Sequence, residues 1–117
     1  MQINWTSKTA KQELIDLDRT NLDVIKTQGV YVIYQTGNPP KSVYVGKGDI
    51  AERLTSHRSD KRFEASRKKG SLYVAFATIS VPDQEGVETY LAKLLQPTIG
   101  ERHPEVREIQ VNLPFAA

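Results

Sequence analysis

Cysteine is absent from the 117 residues of this chain. That removes a disulfide framework, a thiolate-zinc site and a thiol nucleophile together, and it leads one to expect an intracellular, cytoplasmic protein. Long apolar runs are missing as well. Nothing approaches the roughly 20 residues that span a bilayer. Lys8, Lys11, Glu13, Asp16 and Asp18 interrupt the N-terminus too early for a signal peptide. Net charge is small: 16 Lys and Arg stand against 14 Asp and Glu, a formal balance of +2, which alone is weak grounds for a polyanionic partner. His57 and His103 are too far apart in sequence to suggest a zinc motif, and no two carboxylates stand at a spacing that suggests a two-metal site or a glycosidase pair. Gly46-Lys47-Gly48 is no Walker A loop, because no Ser or Thr follows the lysine and Lys41 stands where a glycine is needed.

What the chain does contain fits one folded domain. It is 38% hydrophobic and 26% charged, the balance of a globular protein large enough to bury a core. Its charge is unevenly spread. Arg53, Arg58, Lys61, Arg62, Arg67, Lys68 and Lys69 crowd one stretch that holds only Asp60 and Glu64 as acids. Such a surface attracts phosphate backbones, although a solvated helical face has the same composition.

Residues 8–18 read as a short helix with Ser7 or Thr9 as N-cap, followed by a short turn around Leu22, Val24 and Ile25. This predicts an accessory helical element over residues 1–28, ahead of a domain over 29–117. From Gly29 the alternation of Val30, Val32 and Tyr34 with Tyr31, Ile33 and Gln35 predicts a strand, and Ser42 to Lys47 a second. Thr36-Gly37-Asn38-Pro39-Pro40-Lys41 supplies the turn between them. Asp49 is the expected N-cap of a helix to about His57, with Ile50 and Leu54 inward and Arg53 and His57 one turn apart on a neighbouring face. The basic stretch from Asp60 to Lys69 predicts a second short helix ended by Gly70. Leu72 to Ser80, apolar on both faces, reads as a central strand. Pro82-Asp83 opens a helix that runs to Gln96 and stops at Pro97, with Val87, Leu91, Leu94 and Leu95 as its core stripe. A short strand is expected at Ile109, Val111 and Leu113. The fold class is α/β (α+β), a small three-stranded antiparallel sheet flanked by helices.

Several residues in this frame suit chemistry on a phosphate. Tyr31 and Tyr44 have opposite parity, so they share a sheet face only if paired positions sum to an odd number. Pairing Ile33 with Tyr44 sets Tyr31 opposite Gly46, whose missing side chain leaves room for a ring or ligand. Lys47, at the end of the second strand, would lower the pKa of a neighbouring phenol. Arg53 can place its guanidinium fork on a phosphate. Glu88 falls roughly 20° beyond Leu95 on a helical wheel, at the rim of the apolar arc. A carboxylate there is costly unless paired or bound to a cation, and Mg²⁺ is the ion such an oxygen ligand suits. Against each reading stands a plain one: amphipathic strand tyrosines, surface cations, and a salt-bridged glutamate.

Gly29-Val30-Tyr31, Tyr44-Val45-Gly46, Lys47, Arg53, His57, Glu88 and Asn112 together resemble the GIY-YIG nuclease superfamily over about residues 29 to 114. The order matches: hairpin, arginine in the following helix, then a glutamate ahead of the helix-ending Pro97. The resemblance implies a divalent-metal-dependent endonuclease that hydrolyses DNA, with RNA a less favoured substrate. Tyr44 would be the general base or would orient the attacking water, with His57 able to share that role. Tyr31 would hydrogen-bond the phosphate or a water, Lys47 would assist the phenol, and Arg53 would bind the scissile phosphate. Glu88 would hold a single Mg²⁺ or Mn²⁺. Gly46, Arg58, Arg62, Lys68 and Asn112 are the expected substrate-binding residues. The competing expectations are a nucleic-acid-binding module with the same fold and no catalysis, and a protein-interaction domain on that scaffold.

Overall fold

A computed structural model describes residues 1–101 and 105–115. Its centre is an antiparallel sheet of β1 (Gln28–Gln35), β2 (Lys41–Asp49) and β3 (Tyr73–Thr78), in the order β2-β1-β3. Helix α1 (Ile50–Arg58) follows β2, α2 (Glu64–Arg67) precedes β3, and α3 (Val81–Leu95) follows it. The α+β class and the three-stranded antiparallel sheet are therefore as the sequence predicts. Two apolar layers cover the sheet. On one face Tyr31, Ile33, Tyr44 and Val74 pack with Ile50 and Leu54 of α1, with Phe63, and with Ile15, Leu17, Leu22 and Ile25. On the other, Val30, Val32, Val45, Ala75 and Ala77 pack with Val87 and Leu91 of α3 and with Val111. Covering both faces is why β1 and β3 read as nearly unbroken apolar runs. Burying a side chain such as Ile50 or Leu54 contributes about 1.5–3 kcal/mol, and both are fully buried.

The hairpin register has the parity the two tyrosines require. Tyr31 lies opposite Gly46 and Ile33 opposite Tyr44, and the register shifts only beyond that, where Tyr34 meets Ser42. Asp49 caps α1 as expected, accepting the backbone N–H of Glu52 at 3.0 Å.

Elsewhere the structure corrects the reading of the sequence. No helix forms over residues 8–18. That segment runs largely extended beside β3, with an excursion closed by a Lys8–Leu14 bridge, and only Leu22–Val24 makes a 3₁₀ turn. The reason is the outer edge of β3, which is an edge strand of the sheet rather than its centre and needs partners for its backbone groups. Thr6 exchanges both bonds with Phe76 (2.7 and 2.9 Å), Val74 N–H donates to Ile15, and Leu17 N–H to Leu72 (both 2.9 Å). Ile15 and Leu17, two residues apart, are both buried, which is strand spacing.

The predicted 60–69 helix is split into a 3₁₀ turn, Lys61–Phe63, and the single turn of α2. Asp60 caps that turn through Arg62 N–H at 2.9 Å, and Phe63 is driven fully into the core. In α3 the buried stripe is Gln84, Val87, Glu88 and Leu91. Leu94, expected inside, is 49% exposed and lines an open hollow with Pro39, Pro40 and Phe115. No strand forms at 109–113. That tail packs on α3 instead, with Ile109 N–H bonded to the Gly86 carbonyl at 3.1 Å.

Candidate active site

The β1–β2 pairing fixes the first feature of the site. Because Tyr31 stands opposite Gly46, its ring lies flat across that glycine: a Cβ at position 46 would sit 2.3 Å from the Tyr31 oxygen and 2.4 Å from Cζ. Tyr44 follows on the same face, its ring centroid 6.1 Å from that of Tyr31. His57 in the last turn of α1 leans over both rings, at 5.7 Å from Tyr31 and 4.6 Å from Tyr44, and Phe63 closes the stack at 5.1 Å from His57. His57 is thus not on a solvated neighbouring face but in the core, like the two tyrosines. Their exposures are 0% for Tyr31, 1% for Tyr44 and 3% for His57.

Polar groups thread this apolar stack. The Tyr31 hydroxyl and His57 Nε2 are 2.6 Å apart, and His57 Nδ1 stands 3.8 Å from Asp60 Oδ2. Burial, reinforced by the Arg53 charge and opposed by Asp60, pushes the His57 pKa down to about 4. The ring is neutral at pH 7. Placing its one proton on Nδ1, toward Asp60, leaves Nε2 to accept from the Tyr31 hydroxyl. The Tyr44 hydroxyl donates to Glu101 Oε1 at 2.7 Å. Arg62 donates to the same oxygen at 3.0 Å, forks onto Asp60 at 2.8 and 3.1 Å, and lies 5.5 Å over the Tyr44 ring. Hydrogen bonds thus join Tyr31 to His57 and, separately, Asp60, Arg62, Glu101 and Tyr44 to one another, with the 3.8 Å approach of His57 to Asp60 between the two sets.

Both phenols are held protonated. Burial, aided by Glu101, raises the Tyr44 pKa to about 12, and burial with the neighbouring Tyr44 raises that of Tyr31 further. The lowered phenol pKa expected of Lys47 is therefore not found. Lys47 pairs with Val30, which belongs to the α3 face, so its position points away from Tyr31 and Tyr44. The cation that acts on both phenols is Arg53, which favours ionisation of each. Arg53 is exposed, and its own charge is stabilised by Tyr31 and Tyr44. Its stem passes Gly48, which has φ +122° and where a Cβ would stand 3.3 Å from Arg53 Cγ. Glycine suits that position on both counts.

Glu88 is 9% exposed, and its charge reaches Tyr31, whose pKa it helps to raise. The sequence places Glu88 at the rim of the helix stripe, whereas the fold puts it within the stripe. Among the described residues no three of His, Cys, Asp and Glu gather into a metal cage. A buried carboxylate whose charge reaches Tyr31 is an oxygen ligand of the kind that fits Mg²⁺, which keeps several waters.

Other expected residues lie elsewhere. Arg58 is committed to the N-terminal segment, donating through Nε to the Leu17 carbonyl at 2.7 Å and through Nη2 to that of Thr20. Arg67 pairs with Asp18 at 2.9 Å. Asn112 holds the backbone of Ile3 with both ends of its amide, at 2.7 and 3.0 Å, and is not brought to the tyrosine cluster. Lys68 is exposed on the basic stretch, as are Lys61 and Lys69. His103 lies outside the described residues. Sequence reasoning missed Asp60 and Glu101. Asp60 carries the signal of being three residues from His57. Glu101 carries none, because it arrives by a loop tied to β2 through Thr98 N–H to Ser42 (3.1 Å) and Ile99 N–H to Val43 (2.8 Å). No helix is long and apolar enough to cross a membrane among the described residues.

Searches of protein-family models, curated proteins and solved structures find no match to this chain.

Proposed function

We propose that this protein is a divalent-metal-dependent endonuclease that hydrolyses DNA phosphodiesters, in keeping with the GIY-YIG resemblance. One observation carries the reading: two phenols, a neutral imidazole and the guanidinium of Arg53 converge where the hairpin meets α1. A phosphodiester in water needs a proton acceptor for the attacking water and a cation for the charge that builds on phosphorus. Neutral His57 is the acceptor. With Tyr31 between them, a water can give its proton to the Tyr31 oxygen as that hydroxyl passes its own to Nε2. The new P–O bond then forms as the bond to the leaving oxygen breaks. Arg53 neutralises the phosphoryl oxygens, and Tyr44 hydrogen-bonds the phosphate. This gives the base role to the Tyr31–His57 pair rather than to Tyr44, whose proton is held at neutral pH. Glu88 would hold Mg²⁺ or Mn²⁺, which when bound offsets charge on the leaving oxygen.

One observation favours a second reading, the nucleic-acid-binding module without catalysis. The two tyrosines and His57 are almost wholly buried, with Tyr31 bonded to His57 and Tyr44 packed against both rings, which a purely structural cluster also achieves. Cleavage of plasmid and branched DNA with Mg²⁺ or Mn²⁺ separates the two. The nuclease predicts nicking that Glu88→Ala and His57→Gln each abolish while the chains stay folded. Binding of DNA with no cut across substrates and metals establishes the module instead. If both variants cut like wild type, the residue assignment fails.

A further inference from the structure

Glu101 is an anion already seated on groups that the proposed reaction needs. A single oxygen, Oε1, accepts both the Tyr44 hydroxyl at 2.7 Å and Arg62 Nη1 at 3.0 Å. A hydroxyl and a guanidinium aimed at one oxygen is the arrangement a phosphate oxygen accepts. Glu101 also covers the site from the solvent side. The Glu101 and Arg62 side chains are 41% and 46% exposed, whereas Tyr44 beneath them is almost fully buried. A phosphate cannot meet the Tyr44 hydroxyl while the carboxylate stays there.

The chain is built to let it leave. Thr98 and Ile99 are bonded to the edge of β2, and Gly100 follows, with no atom within 4 Å of where a Cβ would stand. Glu101 is therefore one open glycine beyond a fixed anchor. A half-exposed ion pair is a weak clamp. Arg62 has a second hold on Asp60 through Nε and Nη2, so it keeps its place without Glu101.

We propose that the Tyr44 hydroxyl and the Arg62 guanidinium form a phosphate-oxygen subsite, which Glu101 fills in the unbound chain as an internal competitor and which a nucleic-acid phosphate enters by displacing it. This rests on the reading of phosphodiesters as substrate. Arg62 then serves substrate binding, as the sequence led one to expect, but only after exchanging one carboxylate for a phosphate. Glu101 regulates access and takes no part in the chemical step.

The test uses metal-free protein in chelator and a short fluorescent DNA duplex, read by anisotropy. Removing an internal competitor raises apparent affinity by the factor it withheld, here about three- to tenfold for Glu101→Gln and Glu101→Ala. Glu64→Gln, at an exposed carboxylate of α2, measures the gain from losing one negative charge, expected to be less than about twofold. In an Arg62→Gln background the Glu101→Gln gain disappears. A gain no larger than that of Glu64→Gln overturns the proposal, as does a gain that survives Arg62→Gln. Weaker binding also overturns it, since Glu101 would then be positioning Tyr44 for the substrate. A second arm follows the Tyr44 ring resonances under inorganic phosphate, which shift at lower concentration in Glu101→Ala than in wild type. If phosphate does this and no variant binds DNA, the subsite stands and the DNA reading falls. If wild type cleaves DNA but neither arm responds to Glu101, the nuclease stands and the subsite falls.

Discussion

Gly46→Ala tests the geometry on which the whole site depends. The added methyl would stand 2.3 Å from the Tyr31 oxygen, 2.4 Å from Cζ and 2.9 Å from Cε1, so the ring must retreat by about 1 Å to reach ordinary contact. It has nowhere to go. Tyr31 is fully buried, stacked on Tyr44 and bonded to His57 at 2.6 Å. Forcing a methyl into a packed core costs about 1–3 kcal/mol, and breaking the Tyr31–His57 bond about 1 kcal/mol more. Loss of backbone freedom in the unfolded chain acts the other way by about 0.4–1 kcal/mol. The net destabilisation is about 2–3 kcal/mol, or roughly 8–12 °C in Tm for a chain of this length. Calorimetry or urea unfolding measures it. A Tyr31→Leu background supplies the control, because the clash is with the far end of the ring. There Gly46→Ala should cost less than about 1 kcal/mol. An unchanged Tm for Gly46→Ala, or the same cost with and without the ring, refutes the argument that Tyr31 occupies the space above Gly46.

The pH dependence of stability reports on His57. Its pKa is about 4 in the folded chain and 6.5 when free, so between those values the unfolded chain takes a proton that the folded one refuses. Stability is full above pH 6.5 and falls by an amount of order 3 kcal/mol as pH drops to 4. Arg53, Asp60, Arg62 and Glu101 surround the ring. Asp60, with its pKa at about 2, and Glu101, whose pKa is also lowered, lose their contributions only as pH falls through and below their free values of 3.8 and 4.5, so urea unfolding of wild type and His57→Gln from pH 7 to about 5 isolates the histidine. A slope that persists in His57→Gln assigns it elsewhere. Arg53→Ala should lower cleavage about a hundredfold or more with little change in the urea midpoint, and should move the acid limb of the rate profile upward because Arg53 holds the His57 pKa down. Kinetics and unfolding on the same samples check both, and a matching loss of stability would make Arg53 structural. DNA affinity should weaken with salt, and Lys68→Glu should reduce the log–log slope by about 0.9 if Lys68 meets one phosphate. Arg58→Gln should leave that slope alone and lower Tm instead, since it removes the donor that holds the Leu17 and Thr20 carbonyls.

The hairpin and its tyrosines were legible because alternation and parity are properties of the chain itself. Once Tyr31 and Tyr44 must share a face, paired positions must sum to an odd number, and the register that opposes Tyr31 to Gly46 is among those that qualify; Asp49 marks the start of α1 in the same local way. The 8–18 segment was not legible, because its fate is set by the unpaired groups of Leu72, Val74 and Phe76 some 60 residues away. Helix-compatible residues there yield to an edge in need of hydrogen bonds. Lys47 shows a related limit. Adjacency to Gly46 in sequence suggested a neighbour for the phenols, but one step along a strand turns a side chain to the opposite face. Arg58 and Arg67 looked like members of a basic surface and are instead tethers for the N-terminal segment. Glu101 stood in a Pro- and Gly-rich stretch with no periodicity, and only the two bonds to β2 decide where it arrives.

The strip of chain from Thr6 to Leu17 has a role beyond supporting the fold. By occupying the backbone groups of Leu72, Val74 and Phe76 it removes the open template that an edge strand offers to other molecules. A fragment cut at residue 28 would keep the tyrosine hairpin and all three helices yet expose an apolar ribbon, and the tethers of Arg58 and Arg67 would lose their partners with it. Such a fragment would self-associate into intermolecular sheet instead of behaving as a minimal domain. The N-terminal segment is the chain's safeguard against aggregation.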